Sequence, residues 1–501
     1  MRYTARMTVT RHAEEATLAT VPARRALLCE QAYVAGEWTG ADAEARVQVF
    51  DPATGEAIGS VPELGAGQMR RAIEAARAAF PAWRGLLPRR RADVLMEWRR
   101  LILENVEPLA MLISLEQGKP LADASGEIEY GAEFVRWFAE EASRLYGEVI
   151  PSHLPDRKLI VQREPVGVVG LVTPWNFPSA MLTRKAAAAL AAGCTVVAAP
   201  SMDAPFSALA LAKLAEQAGV PRGVFSVLTG DAEALVGEIC RHPQVRAVSF
   251  TGSTRVGRLI AAQCASTLKR VSLELGGHAP FIVFADADVE TAALAAVAAK
   301  FQTSGQDCLA ANRIFVHADI HAAFVDAFIR QAGKLTLGAG VEPGVDLGPL
   351  INAATYNKSA EQVADAVAKG AHIAMGGPKP GAGGLFFPPT LLTGVTPDMR
   401  IMWEETFGPV AAVLPFATED EVVHAANDTE YGLVAYAFTR DLSRAHRLID
   451  ALEYGMVAIN TVKLTGAPIP LGGVKQSGIG REGSRHGIEE YTELKYACIG
   501  V

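Results

Sequence analysis

Between residues 165 and 277, short apolar runs alternate with longer stretches whose apolar residues recur every three or four positions. The short runs read as buried strands and the periodic stretches as helices. The pattern predicts strands over 166–172, 194–198, 225–228, 245–250 and 270–275. Between them it predicts helices over 181–192, 205–218, 232–240 and 254–265. Strands and helices alternating at this spacing form a parallel sheet covered on both faces, which takes ligands beyond the carboxyl ends of its strands.

On the amino-terminal side a short strand and turn over 32–38 and a Pro/Gly turn near 49–56 precede helices predicted at 67–80, 89–105, 107–117 and 125–145. The segment 147–164 breaks the helical run. It is extended and Pro-interrupted, and fits either a surface loop or a hairpin reaching a neighbouring subunit. After Gly277 a second α/β pattern begins. Strands are expected at 281–284, 314–316 and 456–460, helices at 289–301, 320–334 and 355–369, and a Gly-rich loop at 471–478. The fold class expected is α/β. It comprises a Rossmann-like parallel-sheet domain (31–146 and 165–275), a second α/β domain (276–465) and a small β element (147–164 and 466–501). Residues 1–30 read as an N-terminal tail.

A chain of 501 residues is long enough for two or three domains. Half of its residues are hydrophobic and a fifth are charged, the composition of a folded globular protein. A net charge of −8 carries no basic excess of the kind nucleic acids demand, and it opposes docking on anionic membranes. The longest apolar run, 186–200, is alanine-rich and too short to span a bilayer. Six cysteines scattered without a CxxC predict reduced thiols and a cytoplasmic location. His317 and His321 have HxxxH spacing without the glutamate of HExxH or an evident third ligand, so no metal site is expected.

Candidate chemistry gathers around Phe301-Gln302-Thr303-Ser304-Gly305-Gln306-Asp307-Cys308. A cysteine after a helix and before a strand can be a nucleophile, although most lone cysteines only pack. Asn176, just past the first strand, can donate to a developing oxyanion, or simply belong to a turn between prolines. Gly252-Ser253-Thr254-Arg255-Val256-Gly257 joins a strand to a helix. Its backbone N–H groups suit a phosphate, and a capped helix explains it nearly as well. Glu274 ends a strand before Gly276-Gly277, a place for a general base on water, or for an ordinary surface acid. Glu404-Glu405-Thr406-Phe407-Gly408-Pro409 sets two acids before a tight turn.

Taken together and in order, these motifs resemble the NAD(P)-dependent aldehyde dehydrogenase family over nearly the whole chain. The matching stretches are Thr173-Pro174-Trp175-Asn176-Phe177-Pro178, Phe250-Thr251-Gly252-Ser253-Thr254, Leu273-Glu274-Leu275-Gly276-Gly277, Gly305-Gln306-Asp307-Cys308 and Glu405-Thr406-Phe407-Gly408-Pro409. The resemblance implies that Cys308 attacks an aldehyde, that Asn176 and the Cys308 N–H hold the oxyanion, and that Glu274 activates water. It implies proton movement through Lys185 and Glu482. The cofactor, NAD or NADP, would lie along Trp175, Ala199, Ser201, Met202, Gly252, Ser253, Gly257, Leu275, Glu405 and Phe407. Segment 147–164 matches the family's oligomerisation hairpin, implying a homodimer or homotetramer.

Within the family, Met181-Leu182-Thr183-Arg184-Lys185, Asn427-Asp428-Thr429-Glu430-Tyr431-Gly432-Leu433 and the ending Tyr491-Thr492-Glu493-Leu494-Lys495-Tyr496 resemble the succinate-semialdehyde dehydrogenases. Arg184 matches an arginine that binds the substrate carboxylate there. Gln302 replaces a second such arginine, and Lys463 lies in the substrate-loop region with Leu471. Ala310 removes the second cysteine of a Cys-x-Cys pair. Ala199 and Met202 replace the residues that usually hydrogen-bond the adenosine ribose, which implies a weaker hold on either cofactor. The expected reaction is oxidation of a polar or carboxylate-bearing aldehyde. The rivals are a catalytically weak or non-enzymatic member and a CoA-acylating dehydrogenase.

Overall fold

The structure is a computed structural model that describes residues 27–40, 43, 45–378 and 384–501. Up to residue 26, the expected N-terminal tail lies outside the described residues. An eight-stranded sheet runs in the order Gly478–Ile479, Arg270–Glu274, Val245–Thr251, Val168–Thr173, Thr195–Pro200, Phe225–Val227, Ala32–Val34 and Glu37–Thr39. Its centre is parallel and antiparallel strands close both edges. Every residue of Thr195–Pro200 is buried, because helices cover both faces of a parallel sheet. The alanine-rich helix Pro178–Ala192 is likewise buried at every position, so its apolar pattern runs all round. It meets the helix Leu121–Glu141 closely. A Cβ on Gly131 would lie 2.6 Å from Thr183 Oγ1, so the approach requires glycine.

A seven-stranded sheet follows in the order His372–Met375, Thr390–Thr393, Val410–Phe416, Ala311–His317, Ala279–Val283, Val434–Phe438 and Met456–Ile459. All neighbours are parallel except the first pair. Four of these strands, with the helices Glu419–Asn427 and Leu442–Ala451, fall between 370 and 455, where the sequence pattern assigns no element. The helix Glu419–Asn427 buries only Val422 and Ala426, too few apolar positions to display a period.

A three-stranded antiparallel sheet joins Thr492–Gly500, Arg157–Pro165 and Glu148–Ile150. The extended segment 147–164 is therefore a hairpin, completed by a late strand. Gly478–Ile479 is a two-residue strand. Although it lies in the 466–501 segment assigned to the small β element, it pairs with Leu273 and Glu274 and satisfies the edge of the first sheet. The helix expected at 320–334 is present as His321–Ala332, preceded by a 3-10 turn Ala318–Ile320. His317 ends a strand, and its Nδ1 accepts from Asp319 N at 3.3 Å, so His317 and His321 do not share a helix face. Among the described residues no helix is long and apolar enough to cross a membrane.

Candidate active site

The nucleophile stretch is held in an unusual backbone. After the helix Val289–Phe301, Thr303, Ser304 and Gly305 have φ of 50°, 56° and 73°. At Gly305 a Cβ would fall 2.3 Å from Gly408 O, so no other residue fits. Thr303 and Ser304 adopt the left-handed region at a cost on the order of 1–3 kcal/mol each. Surrounding bonds enforce it. Ser304 Oγ donates to Gly348 O at 2.8 Å, Gln306 Nε2 donates to Thr303 O at 3.2 Å, and Gln306 Oε1 accepts from Ile351 N at 3.0 Å. The turn delivers Cys308 beside Gly277, where a Cβ would sit 2.2 Å from Cys308 O. Burial pushes the Cys308 thiol well above its usual range, and the carboxylates of Asp307, Glu274 and Glu405 add to this, while Arg184 opposes them.

Asn176 lies between the strand Val168–Thr173 and the helix Pro178–Ala192, and it is 2 % exposed. Its Nδ2 donates to Gln306 O at 3.0 Å, which brings the amide to the nucleophile turn and leaves its second N–H available. Glu274 ends the strand Arg270–Glu274, buried, with its Oε1 unpaired. A Cβ on Gly472 would lie 2.8 Å from that oxygen, so the Gly-rich loop sits directly on the carboxylate. Burial, joined by the charge of Glu482, raises the Glu274 pKa to about 8 against the opposing pull of Arg184 and Lys185. A buried acid poised near neutrality, beside a thiol that needs a base, is the arrangement for proton transfer.

Glu482 receives two cations from adjacent positions of one helix: Lys185 hydrogen-bonds its Oε1 and Arg184 pairs with its Oε2. Lys185 also donates to Ser249 Oγ at 3.1 Å. Burial works against the Glu482 charge, but Arg184 and Lys185 outweigh it and hold the carboxyl below its ordinary range. Arg184 Nη2 donates to Met181 Sδ at 2.9 Å, and the guanidinium lies 5.7 Å from the Phe134 ring centre. Its charge is thus already paired. Gln302 and Lys463 are exposed, and their side chains form no hydrogen bond among the described residues, so neither joins this cluster.

Eight of the expected cofactor residues lie at or just past the carboxyl ends of the first sheet's strands, and Glu405 and Phe407 approach them from the loop before Val410–Phe416. Trp175 and Phe407 meet edge to face, 5.4 Å apart at 88°. Gly252 N donates to Glu274 O at 3.0 Å, and Ser253 Oγ caps the helix Thr254–Ala265 by accepting from Val256 N at 3.4 Å. A Cβ on Gly257 would lie 2.4 Å from Leu275 Cδ2, so glycine there sets how closely that helix meets the sheet. Glu405 Oε1 accepts from Gly277 N at 2.8 Å. Ala199 is buried. Ser201 N donates to Thr173 O at 2.9 Å, and the thioether of Met202 accepts from Gly230 N at 3.1 Å. Thr173 Oγ1 and Thr251 Oγ1 are buried without a protein partner at the ends of two strands. Orphaned polar atoms at the carboxyl ends of a parallel sheet are what a bound dinucleotide would satisfy, and the residues present fit one.

Two residues of this region escape the sequence reading. Asp307 is buried next to the nucleophile, its Oδ1 accepting from Leu309 N at 2.9 Å, and burial raises its pKa. Its place in the matched motif was visible, but its electrostatic weight was not. Tyr130, whose phenol burial also raises, packs edge to face on Phe134 at 4.9 Å and feels the opposing charge of Arg184.

Comparison with known proteins agrees with this geometry. The model of the aldehyde dehydrogenase family matches residues 38–497. The chain is 56% identical over 475 residues to the non-phosphorylating aspartate-semialdehyde dehydrogenase of Halomonas elongata, covering 95% of this chain and 96% of that protein. It is 51% identical over 475 residues to the NADP(+) succinate-semialdehyde dehydrogenase of Escherichia coli, covering 95% and 98%. The crystal structure of succinate-semialdehyde dehydrogenase from Burkholderia pseudomallei superposes with a TM-score of 0.95 at 51% identity, covering 97% of this chain and 100% of that one. With a strained cysteine turn, a buried amide and an unpaired buried carboxylate brought to one seam, and a family match over nearly its full length, the chain belongs to the aldehyde dehydrogenase family.

Proposed function

We propose that the protein oxidises a polar or carboxylate-bearing aldehyde, a semialdehyde such as succinate semialdehyde, to its acid. The observation that carries this reading is the convergence of Cys308, the Asn176 amide and the unpaired carboxylate of Glu274 at the junction of the two large sheets. Cys308 gives its proton to Glu274 and adds as thiolate to the aldehyde carbon. The second N–H of Asn176 and the Cys308 N–H receive the oxyanion. The cofactor is NAD or NADP, which when bound accepts a hydride and so leaves a thioester on Cys308. Once Glu274 has passed that first proton to the Lys185–Glu482 pair, it takes a proton from water as the water attacks the thioester; the C–S bond breaks, and the acid leaves with Cys308 again a thiolate. Lys185 and Glu482, hydrogen-bonded to each other behind Glu274, carry protons away. Trp175, Phe407, Gly252, Ser253, Gly257, Leu275 and Glu405 shape the cofactor bed, with Ala199, Ser201 and Met202 at its adenosine end.

Support for the substrate class comes from Arg184 and from relatives named for aspartate and succinate semialdehydes, both short aldehydes bearing a carboxylate. Because Arg184 is paired with Glu482, a substrate carboxylate would share the guanidinium rather than own it. An aldehyde panel assayed with both NAD and NADP tests the reading. Semialdehydes should give the highest kcat/KM and free acid as product. Faster turnover of neutral aldehydes would remove the carboxylate preference, and acyl-CoA as the product would assign the acylating reaction.

The division into a cofactor-binding domain (31–146 and 165–275), a catalytic domain (276–465) and an oligomerisation element belongs to the same proposal. The three-stranded sheet exposes Val149, Leu494 and Tyr496 at 80, 65 and 57 %, an apolar surface suited to a second copy in a homodimer or homotetramer. Light scattering of Val149→Asp should then report a smaller particle. Six free cysteines suit a cytoplasmic location.

A further inference from the structure

The amide of Asn176 is held from behind by a buried ion pair that the reaction scheme does not use. Gly118 closes the helix Val106–Gln117 in a left-handed conformation, and Lys119 follows it. Backbone from the second domain presses on this corner. A Cβ on Gly348 would fall 1.8 Å from Gly118 O and one on Gly340 2.4 Å from Lys119 O, while Leu121 N donates to Gly340 O at 3.0 Å. The side chains of Lys119 and Glu127 are 0 % and 1 % exposed. Lys119 Nζ donates to Glu127 Oε2 at 2.5 Å and to the backbone O of Asn176 at 2.9 Å, and it lies 3.8 Å from the Phe177 ring centre. The other oxygen of Glu127 accepts from Ser179 N at 2.9 Å and Ala180 N at 3.1 Å, in the first turn of Pro178–Ala192.

One ion pair therefore grips the backbone from Asn176 to Ala180 while the Asn176 side chain reaches across to Gln306 O. Stability alone does not explain it, because a buried ion pair is often no better than apolar packing of the same volume. Its geometry fixes direction. We propose that Lys119 and Glu127 are positioning residues that aim the second N–H of Asn176 at the oxyanion. Displacing a catalytic group by about 1 Å costs on the order of 100-fold in rate, and removing either partner frees the Asn176 loop to move by that much. The inference rests on the reading of Asn176 as oxyanion donor.

A double-mutant cycle separates the two. Steady-state kcat and KM, with cofactor Kd from fluorescence titration, are measured for Asn176→Ala, Lys119→Met, Glu127→Gln and each of the latter two combined with Asn176→Ala. The Asn176→Ala enzyme should lose at least about 100-fold in kcat. Lys119→Met and Glu127→Gln should each lose roughly tenfold or more in kcat, with cofactor Kd changed less than about twofold, and should cost less than about twofold once Asn176 is alanine. Multiplying losses in the double variants, or an undiminished kcat in the single ones, overturns the positioning role while leaving the Asn176 reading intact. A loss below about tenfold for Asn176→Ala overturns that reading itself. If Lys119→Met does not fold, the Glu127→Gln cycle separates the same outcomes.

Discussion

Replacing Glu274 with glutamine should abolish turnover and yet stabilise the protein at alkaline pH. The carboxyl is buried, its Oε1 has no partner, and its pKa stands at about 8 against an ordinary value of 4.5. The folded protein therefore holds a proton that the unfolded chain releases between those two values. Glu274 contributes its full stability below about pH 4.5, and the contribution is lost as pH rises to about 8. At about 1.4 kcal/mol per unit of difference, the full window is worth on the order of 5 kcal/mol, an upper limit because Glu482 and its two cations share the titration. Glutamine keeps the shape and has no proton to lose. The stability of Glu274→Gln relative to wild type should therefore climb from pH 5 to pH 8 and then level off. Denaturant unfolding of both proteins at pH 5, 6.5, 8 and 9 measures it, and the difference between them cancels every other titrating group. A difference that stays flat with pH would show that Glu274 ionises normally in the folded state, and the base assigned to this reaction would then have to be sought elsewhere. The same variant should show no fast burst of NAD(P)H, because Glu274 takes the Cys308 proton as well as a proton from the attacking water.

Cys308→Ala should retain cofactor binding by fluorescence titration and show no aldehyde-dependent NAD(P)H formation; persistent steady-state turnover would remove the nucleophile assignment. Asp307→Asn, which keeps the oxygen facing Leu309 N, should move the alkylation of Cys308 by iodoacetamide to lower pH, since a charge opposing the thiolate is gone; an unchanged or higher midpoint contradicts that sign. Ala199→Lys should lower the cofactor KM by supplying a donor beside the ribose, and an equal or higher KM would mean the adenosine end is held by other contacts.

The parallel core of the first sheet was legible because its strands are uniformly apolar and separated by periodic helices, so two independent signals agree for Val168–Thr173 and Pro178–Ala192. Thr492–Gly500 offered neither signal: it exposes nearly every residue, and only its nine-residue register with Arg157–Pro165 makes it a strand. The site divides in the same way. Cys308, Asn176 and Glu274 sit in local motifs whose residue types announce chemistry. The grip of Lys119 on Asn176 spans 57 positions and that of Glu482 on Lys185 spans 297, and pairings of that length leave no mark in spacing or periodicity. Arg184 is read from its motif as a substrate contact, and its pairing with Glu482 is a further long-range feature that the motif does not carry.

That long separation has a consequence for how the protein is made. Arg184 and Lys185 belong to a helix buried at every position, and their counter-charge comes from a residue synthesised 297 positions after Lys185. At a translation rate of roughly 5–20 residues per second, Glu482 arrives about 15–60 s after Lys185. Until then the two cations lack the acid that pairs with them directly, so the helix that carries them has reason to stay loosely docked on the ribosome-bound chain. Final closure of the first domain and completion of the proton path are then one event, triggered from the far side of the second domain.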